Sequence, residues 1–227
     1  MNLKKLLYIL YFFSLTIKAQ DILFVGNSLT YSNNMPEILE YIGKQNNISI
    51  KTASLCFPNY AIIDHLESGK LQQLLQKKRF DYMIIQQGPS SQAQGKQMLL
   101  EDGAKMKQLC NQYNTKLGYF MVWPSVTYYY TFDKVIENHT LAAQKNSALL
   151  FPAGVNWQEY NTYKDKESLY DHDNFHPSKA GSFLAALTIF HQLYPTKNLQ
   201  QLPFKKYKKW VTDEDSFNLI VKVIDKK

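Results

Sequence analysis

Five short apolar runs, each stopping at a cluster of turn residues and most followed by a stretch with helical spacing, constrain this chain more than any other feature. Asp21 to Val25, Ile48 to Ala53, Tyr82 to Ile85, Lys116 to Trp123 and Ala148 to Phe151 read as strands. Helices are expected over Met35 to Gln45, with Pro36 in the first turn, and over Tyr60 to Lys78, Met98 to Tyr113 and Phe132 to Lys145. Two more are expected at Ser178 to Tyr194 and Asp213 to Lys227. Strand–helix alternation through five units predicts a parallel sheet covered by helices on both faces. Ligands of such sheets bind beyond the carboxyl ends of the strands. The segments to inspect are therefore Gly26-Asn27-Ser28, Ser54 to Asn59, Gln86 to Ser91 and the loop leading into Ser178.

Residues 1–20 stand apart. Lys4 and Lys5 precede an apolar stretch from Leu6 to Ile17, with Ala19 near the end, which is the layout of a secretory signal peptide. A membrane anchor is the alternative, but the apolar core is short for one. The expectation is a cleaved leader over 1–20, no stable membrane insertion afterwards, and a single domain over 21–227 in a secreted or periplasmic, bacterial-envelope setting. Those 20 residues carry three lysines and no acid, so their removal lowers the formal charge from +7 to +4. Arg79 is the single arginine of the chain. Phosphate and nucleic-acid sites favour the bidentate arginine fork, so nucleic acid is excluded as a partner. Two cysteines, Cys56 and Cys110, exclude a disulfide scaffold and a cysteine-only zinc site, and leave their own pairing open.

Chemistry concentrates at two strand ends. Residues 171–178 read Asp-His-Asp-Asn-Phe-His-Pro-Ser. An Asp three residues before a His, on a turn ahead of a helix, brings a carboxylate to the imidazole Nδ1–H and leaves Nε2 as a base. Asp171, His172, Asp173 and His176 are also potential metal ligands, yet no second cluster completes a site, and no metal is expected. At the other end, Ser28 directly follows a buried strand, where backbone N–H groups of a turn can stabilise an oxyanion. Taken singly, each motif also reads as an ordinary capped turn.

Together, FVGNSLT near the start and DNFHPSKAGS near the end resemble the first and last blocks of the SGNH (GDSL-type) hydrolases. The resemblance implies a three-layer α/β/α, flavodoxin-like fold with a five-stranded parallel sheet. It implies Ser28 as nucleophile, His176 as general base and Asp173 as its orienting partner, without a cofactor. The Gly-x-Ser-x-Gly elbow of the other large esterase fold is absent. Two blocks depart from the family. The second, Cys56-Phe57-Pro58-Asn59-Tyr60, lacks the glycine that lends an oxyanion-hole N–H, and Asn59 in a left-handed conformation is the expected substitute. The third reads Gln87-Gly88-Pro89-Ser90, with Ser90 at the usual asparagine position. It is similar to the Gln-Gly-Glu-Ser version of carbohydrate acetylesterases, without the Glu.

The expected oxyanion hole therefore combines Ser28, Asn59, Gln87 and Ser90, with Gln86 as the alternative amide. Asn27, Tyr31, Gln86 and Trp123 are expected to line the substrate pocket. Tyr128-Tyr129-Tyr130 reads either as a sugar-stacking loop or as a coding bias toward Lys, Asn and Tyr. His65, His139 and His191 read as half-buried helix residues. The expected function is an exported serine esterase acting on small acyl, above all acetyl, esters of a small molecule or glycan. A lipid or thioester acyl hydrolase, or a non-catalytic glycan-binding envelope protein, is the alternative on the same scaffold.

Overall fold

The computed structural model describes residues 19–225, so the expected leader lies almost wholly outside the described residues. Strand β1 (Gln20–Gly26) runs into the four-residue helix α1 (Ser28–Tyr31) and then α2 (Met35–Gln45). β2 (Ile50–Cys56) is followed by α3 (Ile62–Glu67) and α4 (Lys70–Lys77), and β3 (Tyr82–Ile85) by α5 (Ala93–Gln112). β4 (Lys116–Phe120) leads through a 3-10 turn at Val126–Thr131 into α6 (Phe132–Lys145). After β5 (Leu149–Phe151) come α7 (Ala153–Asn161), α8 (Lys179–Leu193) and α9 (Glu214–Ile224). No helix among the described residues is long and apolar enough to cross a membrane.

All five strands are parallel, in the order β2-β1-β3-β4-β5. This is the flavodoxin-like order, whose direction of winding reverses between β1 and β3. The pleat sends successive side chains to opposite faces. Ile22, Phe24 and Ile84 join one core with α2, α7, α8 and α9; Leu23, Val25, Met83 and Ile85 join the other with α3, α4 and α5. Helix α8 is buried continuously from Ala180 to Phe190 and packs against α2, α7 and α9, which explains its apolar circumference. Val25 pairs with Ile85, so β1 and β3 end side by side and deliver Gly26 and Gln86 to the reversal point.

Several expected boundaries move. The expected helix over 60–78 is two helices, because Gly69 takes a left-handed conformation (φ 70°) between them. β4 stops at Phe120, and residues 121–124 continue as buried non-strand chain. Gln20 belongs to β1 and its N–H donates to Ser49 O at 2.9 Å, so β1 begins one residue before the expected strand start at Asp21. Cys56 and Cys110 are both free and pack with opposite cores, which separates them by the sheet. Burial pushes both thiols up to about 12.

Candidate active site

The site begins where β1 ends. Asn27 caps α1, its Oδ1 accepting from Leu29 N at 3.1 Å while its Nδ2 donates to Tyr60 O at 3.0 Å. Its own backbone N–H donates to Gln86 Oε1 at 2.9 Å, and Thr30 Oγ1 donates to the same oxygen at 2.8 Å. A Cβ on Gly26 would lie 2.6 Å from Gln86 Oε1 and 2.8 Å from Thr30 Oγ1, so this packing requires glycine. Behind the turn, the Gly26 carbonyl accepts from Phe57 N at 3.1 Å and from His65 Nε2 at 2.9 Å. A carbonyl only accepts, so Nε2 of His65 carries the proton. Burial, the largest influence, lowers the pKa of this ring and favours its neutral form. Three segments of chain thus fix the turn that presents Ser28, whose side chain is left half-buried.

The second half is the loop between α7 and α8. Asp171 N donates to His176 O at 2.8 Å and Asn174 N to Asp171 O at 3.0 Å, with Asn174 in the left-handed region (φ 59°). Ser178 caps α8 by accepting from Gly181 N at 3.1 Å. Trp123 Nε1 donates to Phe175 O at 3.1 Å, and Tyr170 OH to Pro124 O at 2.8 Å, which pin the loop to the chain leaving β4. The loop therefore holds its own shape. Asp173 Oδ1 accepts from Phe175 N and His176 N at 3.0 and 2.9 Å, and Oδ2 meets His176 Nδ1. His176 Nε2 stands 2.8 Å from Ser28 Oγ. The His176 hydrogen bond is the main reason that the Asp173 carboxyl is held down at about 2. Ser28, His176 and Asp173 form one chain of hydrogen bonds at the reversal point, the arrangement that lets an imidazole withdraw a hydroxyl proton.

The expected oxyanion donors divide. Ser28 opens α1, so its N–H has no acceptor within the helix. Asn59 is exposed with φ 60°, after Pro58 in a turn closed by Tyr60 N to Phe57 O at 3.3 Å. Proline followed by a positive-φ residue is what a type II turn demands, and this is how the segment manages without glycine. Gln87 and Ser90 are turned to each other instead: Gln87 Nε2 donates to Ser90 Oγ at 3.0 Å, and Ser90 Oγ to Gly88 O at 3.0 Å. Both are buried, and Asn138 Nδ2 secures the Ser90 carbonyl at 2.8 Å. They brace the loop after β3.

Three of the four residues expected to line the pocket do not. Gln86 is 1% exposed and its oxygen is occupied by the Asn27 turn. Trp123 is fully buried and stacks on Trp157 with centroids 3.6 Å apart. Asn27 uses both side-chain atoms as a cap and tether. Each is a support, and strand-end position alone did not distinguish the two roles. Tyr31 is exposed. His65 carries more than its expected half-buried role. Its sequence signal was a histidine among Ile62, Ile63 and Leu66, where a ring N–H on the buried face must find a backbone acceptor. Among the described residues, no three His, Cys, Asp or Glu side chains converge to hold a metal ion.

No protein-family model matches the sequence, and no curated protein resembles it significantly in sequence. Solved structures do resemble the fold. A protein from Slackia heliotrinireducens assigned to the SGNH hydrolases superposes with a TM-score of 0.65 at 22% identity, over 78% of this chain and 100% of that one. A DUF4886 family protein from Bacteroides uniformis superposes with a TM-score of 0.78 at 15% identity, over 92% and 94% of the two chains. A catalytic variant of an acetylxylan esterase from Geobacillus stearothermophilus gives 0.61 at 12% identity, over 78% and 96%. The chain has the fold of the SGNH hydrolases.

Proposed function

We propose that this protein is an exported serine ester hydrolase that removes small acyl groups, acetyl above all, from carbohydrate. The observation that carries the reading is the hydrogen-bonded run from Ser28 Oγ through His176 to Asp173, set at the sheet's reversal point. Ser28 Oγ attacks the ester carbonyl carbon while His176 Nε2 takes its proton. The carbonyl π pair moves onto oxygen, and the oxyanion faces the N–H groups of Ser28 and Asn59. Collapse expels the alcohol, which leaves with the proton from His176, and Ser28 keeps the acyl group. Water then attacks the acyl-enzyme, giving up a proton to His176, and the acid departs as Ser28 recovers its hydrogen. The N-terminal leader-like segment supports export, and the fold's likeness to acetylxylan esterases supports a small acyl group on a sugar.

Hydrolysis of p-nitrophenyl acetate by residues 20–227, beside Ser28→Ala, tests the reaction. Loss of turnover in the variant, by about 10³-fold or more, supports Ser28 as nucleophile. Equal rates in the two proteins refute it.

A further inference from the structure

Large apolar side chains left exposed are few among the described residues, and half of them share one turn. Of the six among the described residues, Leu149 and Val155 lie elsewhere; Tyr31 follows Ser28 by one helical turn, and Val126, Tyr128 and Tyr130 occupy the 3-10 turn after β4. Tyr128 is 58% exposed and Tyr130 82%. The turn is anchored to the histidine loop, since Val126 N donates to Asn174 O at 2.9 Å. Between this turn and residues 89–92 lies a cleft of about 700 Å³ that Asp173 and Phe175 also line. That volume falls within the roughly 300–1,000 Å³ of small-molecule sites. Tyr128 and Tyr130 line it together with Ser91, Gln92, Ser125 and Thr127, residues that carry hydroxyl or amide groups.

The cleft reaches the histidine loop at Asp173 and Phe175, the residues just before His176, so a molecule bound in it lies beside that loop. Aromatic faces beside hydroxyls match the C–H faces and hydroxyl rims of pyranose rings. An alkyl chain would strip water from those hydroxyls and return no hydrogen bond.

We propose that this cleft is a saccharide subsite, with Tyr128 and Tyr130 as its stacking platform; taking its occupant as the sugar of the substrate rests on the hydrolase reading above. The test is calorimetric titration of the Ser28→Ala protein with chemically acetylated xylo-, manno- and gluco-oligosaccharides and with a C8–C12 alkyl ester. Binding of at least one oligosaccharide is expected, weakened about tenfold or more by Tyr128→Ala with Tyr130→Ala and restored by the two Tyr→Phe changes, at an unchanged melting temperature. No oligosaccharide binding, binding indifferent to both tyrosines, or tighter binding of the alkyl ester would overturn the proposal. The titration needs no turnover, so its failure is distinct from survival of p-nitrophenyl acetate hydrolysis in Ser28→Ala.

Discussion

Asp173 puts one carboxylate to two uses: it shapes the loop that carries His176 through two backbone N–H groups, and it fixes the imidazole through Nδ1. Held at about 2, below the unfolded carboxylate value near 4, it favours the folded state above pH 4 and loses that contribution as pH falls through 2. It is therefore ionised at any pH where the imidazole can act as base. Asp173→Asn keeps much of the loop geometry but presents an amide to His176, which permits the wrong tautomer. The expected result is a kcat lower by about 10³–10⁴ with KM changed little; a loss below tenfold would remove Asp173 from the reaction. At this scale the sequence was most legible where chemistry needs fixed spacing, as in Asp173-Asn174-Phe175-His176. It was least legible where only orientation matters. Gln86 and Trp123 follow strands as Ser28 does, yet one tethers the Asn27 turn and the other lies in the core.

The element that matters most is the turn from Gly26 to Tyr31, held by α3 through His65, by the 57–60 turn and by the residue after β3. Gly26→Ala puts a methyl against Gln86 Oε1 and Thr30 Oγ1. Displacing the turn by a few tenths of an ångström should lower stability by about 1–3 kcal/mol and depress kcat more than KM. Urea unfolding and steady-state kinetics on the same sample check this, and an unchanged kcat would show that the turn tolerates movement. Met35–Gln45, Tyr82–Ile85 and Phe132–Lys145 were bounded correctly from the sequence, because proline, turn residues and apolar period agree there. Helix α1 gave no such signal: four residues are one turn, too short for a period, and its existence depends on the Asn27 cap. Helix α7 was missed for a related reason. Its buried residues, Ala153, Gly154, Trp157 and Tyr160, do keep helical spacing, but only the last two are large and the helix is nine residues long.

At the scale of the whole molecule, the parallel order β2-β1-β3-β4-β5 makes the crevice, and loops from opposite ends of the chain meet there: Ser28 and His176 are 148 residues apart. The five alternating runs foretold that order of layers, while the packing of interior histidines was not foretold. His139 is fully buried and donates through Nδ1 to Val135 O at 2.8 Å; burial lowers its pKa to about 4. His65 shifts in the same direction. The unfolded chain binds these protons near pH 6.5 and the native one does not, so stability is complete above that pH and falls as pH drops toward 4. The part due to His139 is about 3 kcal/mol. His139→Leu should flatten the decline in urea-unfolding free energy between pH 6.5 and 4; the same slope in both proteins would place the titration elsewhere. The central claim remains chemical, that Ser28 is the nucleophile of this fold. Treating the protein with a fluorophosphonate and mapping the adduct by mass spectrometry tests it most directly. One adduct per chain, on Ser28 and lost in His176→Ala, is the expected result; no adduct, or an adduct on another residue, would contradict it.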